Sequence, residues 1–372
     1  MKAMWPVAGM RHRLPDMAEA RSKIRQFAFA IPGDLGTRTG GYGYAREIID
    51  HLPGSGWNAN IIQLDAGFPD PSPAVVDETI RLLNAVPEGM PVMVDGLAYG
   101  ALPATLLADV PNPLIALVHH PLGLETGLDP VRAKQLIDNE QAALSVADTI
   151  IVTSPHTKRV LVRDFNVSAR RIHVATPGIP AAKRATPDNR QPPMILSVGT
   201  ITQRKGTDIL LACLLGLTHV PWHAVICGDP GRDPQYAQFI TSVASVPALA
   251  NRVSFTGSVG EADLHALYAQ ASLFVLPSHY EGYGMAFAEA VRRGIPALGF
   301  ATGAVPDTVG PGGILVPDGD ANALSAAMAA LLSNPSQRQA LSDKAWDYGQ
   351  TMPDWFDTAA VIGRCLTDAA AN

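Results

Sequence analysis

Short apolar runs alternate with helical patterns along most of the chain. Six runs fall in the first half, at 26–31, 58–64, 90–96, 112–120, 148–154 and 171–178, and six in the second half, at 193–200, 223–229, 252–258, 272–278, 296–300 and 312–318. Strands that are separated by helices require crossover connections, and crossover connections give parallel sheets. The pattern therefore predicts an α/β chain with two Rossmann-like α/β/α domains.

The segment between the two sets of strands indicates a domain boundary. Residues 180–193 read PAAKRATPDNRQPP, which is rich in proline and charge, as interdomain linkers are. We predict an N-terminal domain over 1–185, beginning with a loosely ordered extension over 1–24, and a C-terminal domain over 186–352. A last helix over 353–372 is expected to pack back on the N-terminal domain with an apolar side that includes Trp355, Ala359, Ile362 and Leu366.

Composition and charge exclude several classes of function. The 372 residues suit two domains, and the net charge of −6 with scattered basic residues argues against a nucleic-acid partner. Cys213, Cys227 and Cys365 have no metal-ligand spacing, so we interpret them as buried apolar residues or as free thiols of a reducing compartment. No apolar run is long enough for a membrane helix, and the chain start is too charged for a signal peptide, so we expect a cytoplasmic protein.

The first 25 residues carry six Lys or Arg against Asp16 and Glu19. Such a basic segment could contact an anionic membrane surface, as peripheral proteins do. No apolar helical face accompanies the charges, which favours the simpler interpretation of an extension before the first strand.

Two glutamates flank a glycine turn in the stretch LPSHYEGYGMAFAEAVRRG, residues 276–294. The pattern predicts a strand, a turn and a helix that ends at Gly294. N–H groups at a helix N-terminus have no intrahelical partner and attract anions, so the turn at Tyr283, Gly284 and Met285 suits a phosphate.

The two carboxylates of this stretch, Glu281 and Glu289, can each accept two hydroxyl hydrogen bonds. We expect one to hold a sugar diol and the other a ribose diol, with Gly282 and Gly284 letting the backbone approach the ligand. The structural alternative is that Glu281 is a solvated loop residue and that Glu289 is a first-turn glutamate favoured by the helix dipole. The combination with the glycines favours the functional interpretation.

A second strand–loop–helix unit, SVGTITQRKGTDILL, places Arg204 and Lys205 just before a helix. Two cations there can neutralise a diphosphate and stabilise it as a leaving group, although a solvated loop fits the pattern equally well. In the first half, Gly40, Gly41 and Gly43 are expected to form another phosphate-binding turn between a strand and a helix.

The first-half glycines also suggest a rival function. Gly41-Tyr-Gly43 before a helix, with Asp65 at the end of the second strand, imitates a dinucleotide fingerprint. The third small position of that fingerprint is occupied by Arg46, which is too large for the close helix packing it supports. A nicotinamide-dependent oxidoreductase would also leave Glu281 and Glu289 unexplained.

An Asp318-x-Asp320 pair has a spacing that binds metal ions in some transferases. The pair immediately precedes a helical pattern, so helix capping is the favoured interpretation. With Arg204, Lys205 and two helix starts available to a diphosphate, we predict no metal and no cofactor.

Several motifs together resemble the group 1 glycosyltransferases, the large retaining family with the GT-B fold. EGYGMAFAE is similar to the family's E-x7-E signature, SVGTITQRKG to its phosphate loop, FTGSV to its base-contacting turn, GGYGYAREI to its N-terminal glycine loop and LVHHPLG to the strand end that carries its active-site histidine. The resemblance runs from about Gln26 to Leu366. It implies a cleft between the domains, with a nucleotide-sugar donor held mainly by the C-terminal one.

The resemblance implies a role for each matching residue. Catalytic roles fall to His119, Glu281, Lys205 and Arg204, and donor contacts to Gly41, Gly199, Thr200, Gly257, Ser258, Val259, Gly282, Tyr283, Gly284, Met285 and Glu289. The loop 119–130 is expected to bind the acceptor through His120 and Glu125. Adjacent strand residues point in opposite directions, so at most one of the two histidines should face the cleft, and the family position favours His119. Many members have an arginine where this chain has Thr200, and Arg204 is the candidate to replace its charge.

By this resemblance, we expect transfer of a sugar from a UDP- or GDP-sugar to a hydroxyl acceptor, with retention of configuration, in polysaccharide or glycolipid assembly. Three alternatives stay open: a nucleotide-sugar epimerase of the same fold, an oxidoreductase that uses NAD(P), and a nucleotide-sugar sensor without catalysis.

Overall fold

The computed structural model describes residues 24–37, 39–125, 127–187 and 192–371. Most of the basic N-terminal segment and residues 188–191 of the linker lie outside the described residues, and the two predictions made for them stay predictions.

The strands form two separate sheets. The first contains β1 (Arg25–Pro32), β2 (Trp57–Leu64), β3 (Val92–Asp95), β4 (Leu114–Val118), β5 (Thr149–Val152) and β6 (Ile172–Val174). The second contains β7 (Met194–Val198), β8 (His223–Cys227), β9 (Val253–Gly257), β10 (Leu273–Leu276), β11 (Ala297–Phe300) and β12 (Gly313–Val316). Every predicted apolar run contributes one of these strands.

Both sheets are parallel throughout their described pairings. Their strand orders are β2-β1-β3-β4-β5-β6 and β12-β11-β10-β7-β8-β9. The order reverses between β1 and β3 in the first sheet and between β7 and β10 in the second. Ligands of open α/β sheets bind outside the carboxyl ends of the strands at such switch points.

Helices cover both faces of each sheet. They are α1 (Gly40–His51), α2 (Pro73–Asn84), α3 (Gly96–Tyr99), α4 (Ala104–Leu107), α5 (Pro130–Val146), α6 (Pro155–Asp164), α7 (Thr207–Gly216), α8 (Pro234–Ala244), α9 (Glu261–Gln270), α10 (Met285–Arg292), α11 (Val305–Val309), α12 (Ala321–Ser333), α13 (Pro335–Gly349) and α14 (Trp355–Ala369). Short 3-10 turns lie at Leu52–Ser55, Leu122–Leu124, Ala169–Arg171, Gln203–Lys205 and Gly310–Gly312.

Local sequence explains where many helices begin. A capping side chain followed by proline opens α2, α5, α6, α8 and α13, with Ser72, Asp129, Ser154, Asp233 and Asn334 as the caps. The side-chain oxygen satisfies a free N–H of the first turn, and proline loses nothing there because its position needs no donor. The same logic makes Asp320 the cap of α12, where its carboxylate accepts from Ala323 N at 2.9 Å.

The last helix, α14, packs on the first sheet. Trp355, Ile362 and Leu366 join Phe27 and Phe29 of β1 in one buried cluster. Burying an aliphatic side chain of this size stabilises a fold by about 1.5–3 kcal/mol. The chain therefore leaves the C-terminal domain after α13 and ends on the N-terminal one. These observations confirm the predicted fold class.

Candidate active site

A cleft of about 590 Å³ lies between the carboxyl ends of the two sheets. Loops after β1 and β4 line one wall, and loops after β7 and β10 line the other. Both switch points therefore open into the same space. Two larger cavities, of about 750 and 650 Å³, lie near the opposite, amino ends of the second sheet and are lined in part by linker residues.

Most of the residues singled out from the sequence meet in this cleft. Its lining includes Gly41, His119, His120, Glu125, Gly199, Thr200, Arg204, Lys205, Glu281, Gly282, Tyr283, Gly284, Met285 and Glu289. The C-terminal wall thus carries both predicted phosphate-binding segments, and the N-terminal wall carries both histidines.

The segment Gly257, Ser258 and Val259 is not among the residues that line the cleft. Gly257 closes β9, the edge strand, and its carbonyl accepts from Gly228 N at 3.1 Å. The structure does not bring this segment together with the other predicted donor-binding residues, and its contact with a base stays a prediction.

Glu281 is buried, with 7% of its surface exposed. Lys205 Nζ donates to its Oε1 at 2.6 Å, and Ser278 Oγ lies 2.6 Å from the same oxygen. Burial alone would raise the pKa of Glu281, but Lys205, Arg204 and the Ser278 hydrogen bond outweigh burial and lower it. Glu281 is therefore a charged carboxylate in a protein-lined pocket, and the interpretation of a solvated loop residue is wrong.

Arg204 connects the two walls of the cleft. Its Nη1 donates to the Tyr280 carbonyl at 2.7 Å and lies 3.8 Å from Glu281 Oε2, while its Nε lies 3.6 Å from Oε1 of Glu125 in the N-terminal domain. These contacts place a guanidinium beside Glu281 although Thr200 stands where many family members have arginine. Arg204 thus supplies a positive charge next to Lys205, as the sequence suggested.

The N-terminus of α10 points into the cleft without a side-chain cap. Gly284 occupies the cap position with φ +90°, a conformation that favours glycine. A Cβ on Gly282 would lie 2.6 Å from the carbonyl oxygen of His119, so the turn touches the opposite domain. Uncapped first-turn N–H groups at this position form a potential anion site, with Met285 as the first helical residue.

Glu289 lies one turn further along α10 and is half-buried. Burial raises its pKa, while a hydrogen bond with Tyr268 and the charge of Arg293 act in the opposite direction. Tyr268 is fully buried, and its hydroxyl also lies 3.2 Å from the Ala286 carbonyl. Glu289 is thus hydrogen-bonded to Tyr268 of α9 on one side and lines the cleft on the other.

Both histidines face the cleft, so the expectation that at most one would do so is wrong. Strand β4 ends at Val118, and the alternation of side chains in a strand does not extend to His119 and His120. His119 Nε2 lies 3.4 Å from Asp95 Oδ2, at the end of the neighbouring β3. Burial, followed by the charge of Arg204, lowers the pKa of His120 to about 4, so its imidazole is neutral near pH 7.

The first-half glycines also lie differently from the prediction. They form the first turn of α1, with Thr39 as its cap, rather than a turn before the helix. A Cβ on Gly41 would approach His119 Cδ2 to 3.7 Å, and one on Gly40 would meet Met285 Sδ at 4.0 Å. Both distances are ordinary van der Waals contacts, so the start of α1 lies next to His119 and to Met285 of the other domain.

Sequence reasoning missed several residues of the site. Asp95, Ser278 and Tyr280 were overlooked, although the first two stand at or just after the carboxyl ends of strands. That position was a usable signal, since such residues face the ligand side. Tyr280 carried no signal of its own, because its partners come from the other domain.

Asp318 and Asp320 have separate protein partners and are not arranged to share a ligand. Asp318 Oδ1 is 2.8 Å from His279 Nδ1, and Asp320 caps α12. Across the described ranges, no group of three or more His, Cys, Asp or Glu is arranged to hold a metal ion. The same ranges contain no helix with the length and apolar content needed to cross a bilayer.

Two facing Rossmann-like domains with a ligand cleft between them define a GT-B fold, and solved structures agree. The sucrose-phosphate synthase of Thermosynechococcus elongatus matches with a TM-score of 0.78 at 21% identity, covering 93% of this chain and 99% of that one. HepE of Anabaena, solved in complex with UDP and glucose, matches with a TM-score of 0.72 at 15% identity, covering 92% and 100%.

Sequence comparisons match the C-terminal domain to a known family. The profile of "Glycosyl transferases group 1" matches residues 179–347. D-inositol 3-phosphate glycosyltransferase of Corynebacterium glutamicum is 26% identical over 258 residues, a match that spans 64% of this chain and 60% of that relative. The match to this profile covers somewhat less than half of the chain and lies in its C-terminal domain.

Proposed function

We propose that this chain is a retaining glycosyltransferase that moves a sugar from a UDP- or GDP-sugar to a hydroxyl acceptor. The observation that carries the proposal is the buried Lys205–Glu281 pair beside the uncapped start of α10, directly across the cleft from His119. The relatives support it, since one is named as a glycosyltransferase and another was solved with UDP and glucose.

The donor diphosphate binds at the positive end of the C-terminal wall. Lys205, Arg204 and the first N–H groups of α10 neutralise the charge that develops on the departing diphosphate. Glu281 accepts hydrogen bonds from the sugar hydroxyls, and Glu289 accepts them from the ribose. His119, oriented by Asp95, lies near the reacting carbon on the N-terminal side.

The reaction exchanges one bond at the anomeric carbon. The bond to the diphosphate oxygen breaks, the acceptor oxygen bonds to the same face, and the acceptor proton passes to the departing phosphate oxygen. Glu281 is paired with Lys205 and lies 2.6 Å from Ser278 Oγ, so we assign it to sugar binding rather than to covalent attack. The positive charge of Lys205 and Arg204 serves the diphosphate in place of a metal ion, and the donor is the only nucleotide required.

Turnover of donor panels tests this function. UDP-, GDP- and ADP-sugars are incubated with acceptors that include free sugars, sugar phosphates and lipid-linked sugars, and both nucleoside diphosphate and product are quantified. We expect release that depends on an acceptor and a product with the donor's anomeric configuration. Epimerised sugar without an acceptor would instead support an epimerase, and binding without turnover would support a sensor.

A single-turnover trap tests the chemical step. We expect no glycosyl adduct on the protein by intact mass when donor and enzyme are mixed in equal amounts and quenched. A trapped adduct would replace same-face attack with a double displacement.

The acceptor side is the loop that carries His120 and Glu125. These residues lie on the N-terminal wall, where a sugar or lipid-linked acceptor enters from the cleft. Polysaccharide or glycolipid assembly, by a cytoplasmic protein in peripheral contact with the membrane, is the setting proposed for such an acceptor. Co-sedimentation with anionic vesicles tests the membrane contact.

A further inference from the structure

The side chain just before Glu281 crosses from one domain to the other. Tyr280 belongs to the loop after β10, yet its ring contacts two histidines of the N-terminal domain. Its centroid lies 4.1 Å from that of His120 and 6.2 Å from that of His156, with interplanar angles of 39° and 68°. Tilted and edge-to-face aromatic pairs stabilise a contact beyond the area that they bury.

The backbone of Tyr280 is tied to the same groups that hold Glu281. Arg204 Nη1 donates to the Tyr280 carbonyl at 2.7 Å and lies 3.8 Å from Glu281 Oε2. Ser278 Oγ lies 3.2 Å from that carbonyl and 2.6 Å from Glu281 Oε1. A shift of the Tyr280 ring therefore moves the peptide that leads into Glu281.

The ring of Tyr280, rather than its hydroxyl, makes the contact. The hydroxyl oxygen is buried and has no hydrogen-bond partner among the described residues. A buried, unpaired hydroxyl contributes no stabilising bond, so removing it should cost little. The functional part of Tyr280 is thus its packing against His120 and His156.

We infer that Tyr280 is a positioning residue that couples the acceptor wall of the cleft to the sugar-binding carboxylate Glu281. The inference rests on the proposed function, because Glu281 is there the group that holds the donor sugar. In the domain arrangement of this structure, His120 and His156 hold the ring, and the ring holds the Tyr280–Glu281 peptide. Loss of the ring leaves the nucleotide site intact and disturbs only the placement of the sugar.

Two variants separate ring from hydroxyl. For Tyr280→Phe we expect kcat within twofold of wild type and an unchanged radius of gyration by small-angle X-ray scattering. For Tyr280→Ala we expect kcat to fall at least tenfold and the radius of gyration to rise, while the Kd for UDP or GDP alone stays within twofold. Phe239→Ala, which removes an exposed ring from α8, is the matched control and should behave as wild type.

Three outcomes would overturn the inference. Tyr280→Phe could lose as much activity as Tyr280→Ala, which would assign the role to the hydroxyl. Tyr280→Ala could have the kcat or the radius of gyration of the wild type, which would show that Tyr280 does not couple the acceptor wall to Glu281. It could also lose UDP and GDP binding, which would make Tyr280 merely structural. A wild-type protein that transfers no sugar would refute the proposed function instead, and the scattering result would then decide the role of Tyr280 alone.

Discussion

At the residue scale, the ion pair of Lys205 and Glu281 makes the sharpest prediction. Only 13% and 9% of the two side chains are exposed, so removing either leaves a buried charge without its partner. Breaking such a pair costs about 3–5 kcal/mol, which a fold with about 5–15 kcal/mol of stability survives. We expect Glu281→Ala and Lys205→Ala each to abolish transfer and to lower the urea midpoint while the circular dichroism spectrum is retained.

The double variant is the control for this prediction. With both charges absent, the free energy of unfolding should fall by less than the sum of the two single losses. Additive losses, or wild-type turnover in either single variant, would remove the assigned roles.

Glu140 makes a prediction about pH. It is buried in α5, where its Oε2 accepts from Leu122 N at 2.8 Å, and burial raises its pKa to about 8 despite that bond. In the unfolded chain the proton leaves near pH 4.5, so between pH 4.5 and 8 the folded protein holds the extra proton. Stability therefore falls as pH rises through this window.

The isosteric variant Glu140→Gln removes this proton linkage. Its urea midpoint should rise relative to that of the wild type as pH increases from 5 to 8. The reason is that the wild type loses stability over this range, whereas a glutamine has no proton to release. Midpoints that run parallel over this range would contradict the assigned pKa.

Much of the site could be predicted from local sequence. Glu281, Arg204 and Lys205 stand in strand–turn–helix units whose chemistry is readable within about twenty residues. The pairing of Lys205 with Glu281 was not readable, because it joins loops 76 positions apart. The same limit hid Tyr280, whose partner His120 lies in the other domain.

At the scale of elements, α14 follows the C-terminal domain along the chain but packs on the sheet of the N-terminal domain. Leu366 is fully buried against the first sheet, whereas Phe356 on the same helix is 64% exposed. Leu366→Ala should lower the free energy of unfolding by about 2–5 kcal/mol. Phe356→Ala should cost about 1 kcal/mol or less, and equal losses in urea titrations would contradict the packing of α14.

The strands were the most predictable elements, and α1 shows why one helix start was not. Buried parallel strands read as continuous apolar runs, which survive without knowledge of the fold. Glycine lowers helix propensity, so Gly40, Gly41 and Gly43 pointed to a turn. They lie inside α1 because Thr39 caps the helix and accepts a hydrogen bond from Tyr42 N.

At the scale of the whole molecule, Gly282 sets how closely the domains approach. An added Cβ would lie 2.6 Å from the His119 carbonyl, so Gly282→Ala must separate the two walls. We expect transfer to fall more than tenfold while UDP or GDP still binds. Gly216→Ala, at the end of α7 with its nearest contact 3.8 Å away, is the control and should leave both unchanged.

The relative placement of the domains could not be predicted from the sequence. It depends on contacts such as the ion pair of Arg159 with Asp307 at 2.7 Å and that of Arg204 with Glu125 at 3.6 Å. Each partner looks like an ordinary surface charge in the sequence, because nothing local distinguishes an interdomain pair from a solvated one.

Ligand-induced thermal stabilisation tests the central claim most directly. Wild type and Lys205→Ala are heated with UDP-, GDP- and ADP-sugars and with NAD(P), each over a concentration series, since a ligand stabilises the folded state in proportion to the logarithm of its concentration above Kd. We predict that at least one UDP- or GDP-sugar raises the Tm of the wild type and that Lys205→Ala loses most of this rise. A rise with NAD(P) alone would contradict the account.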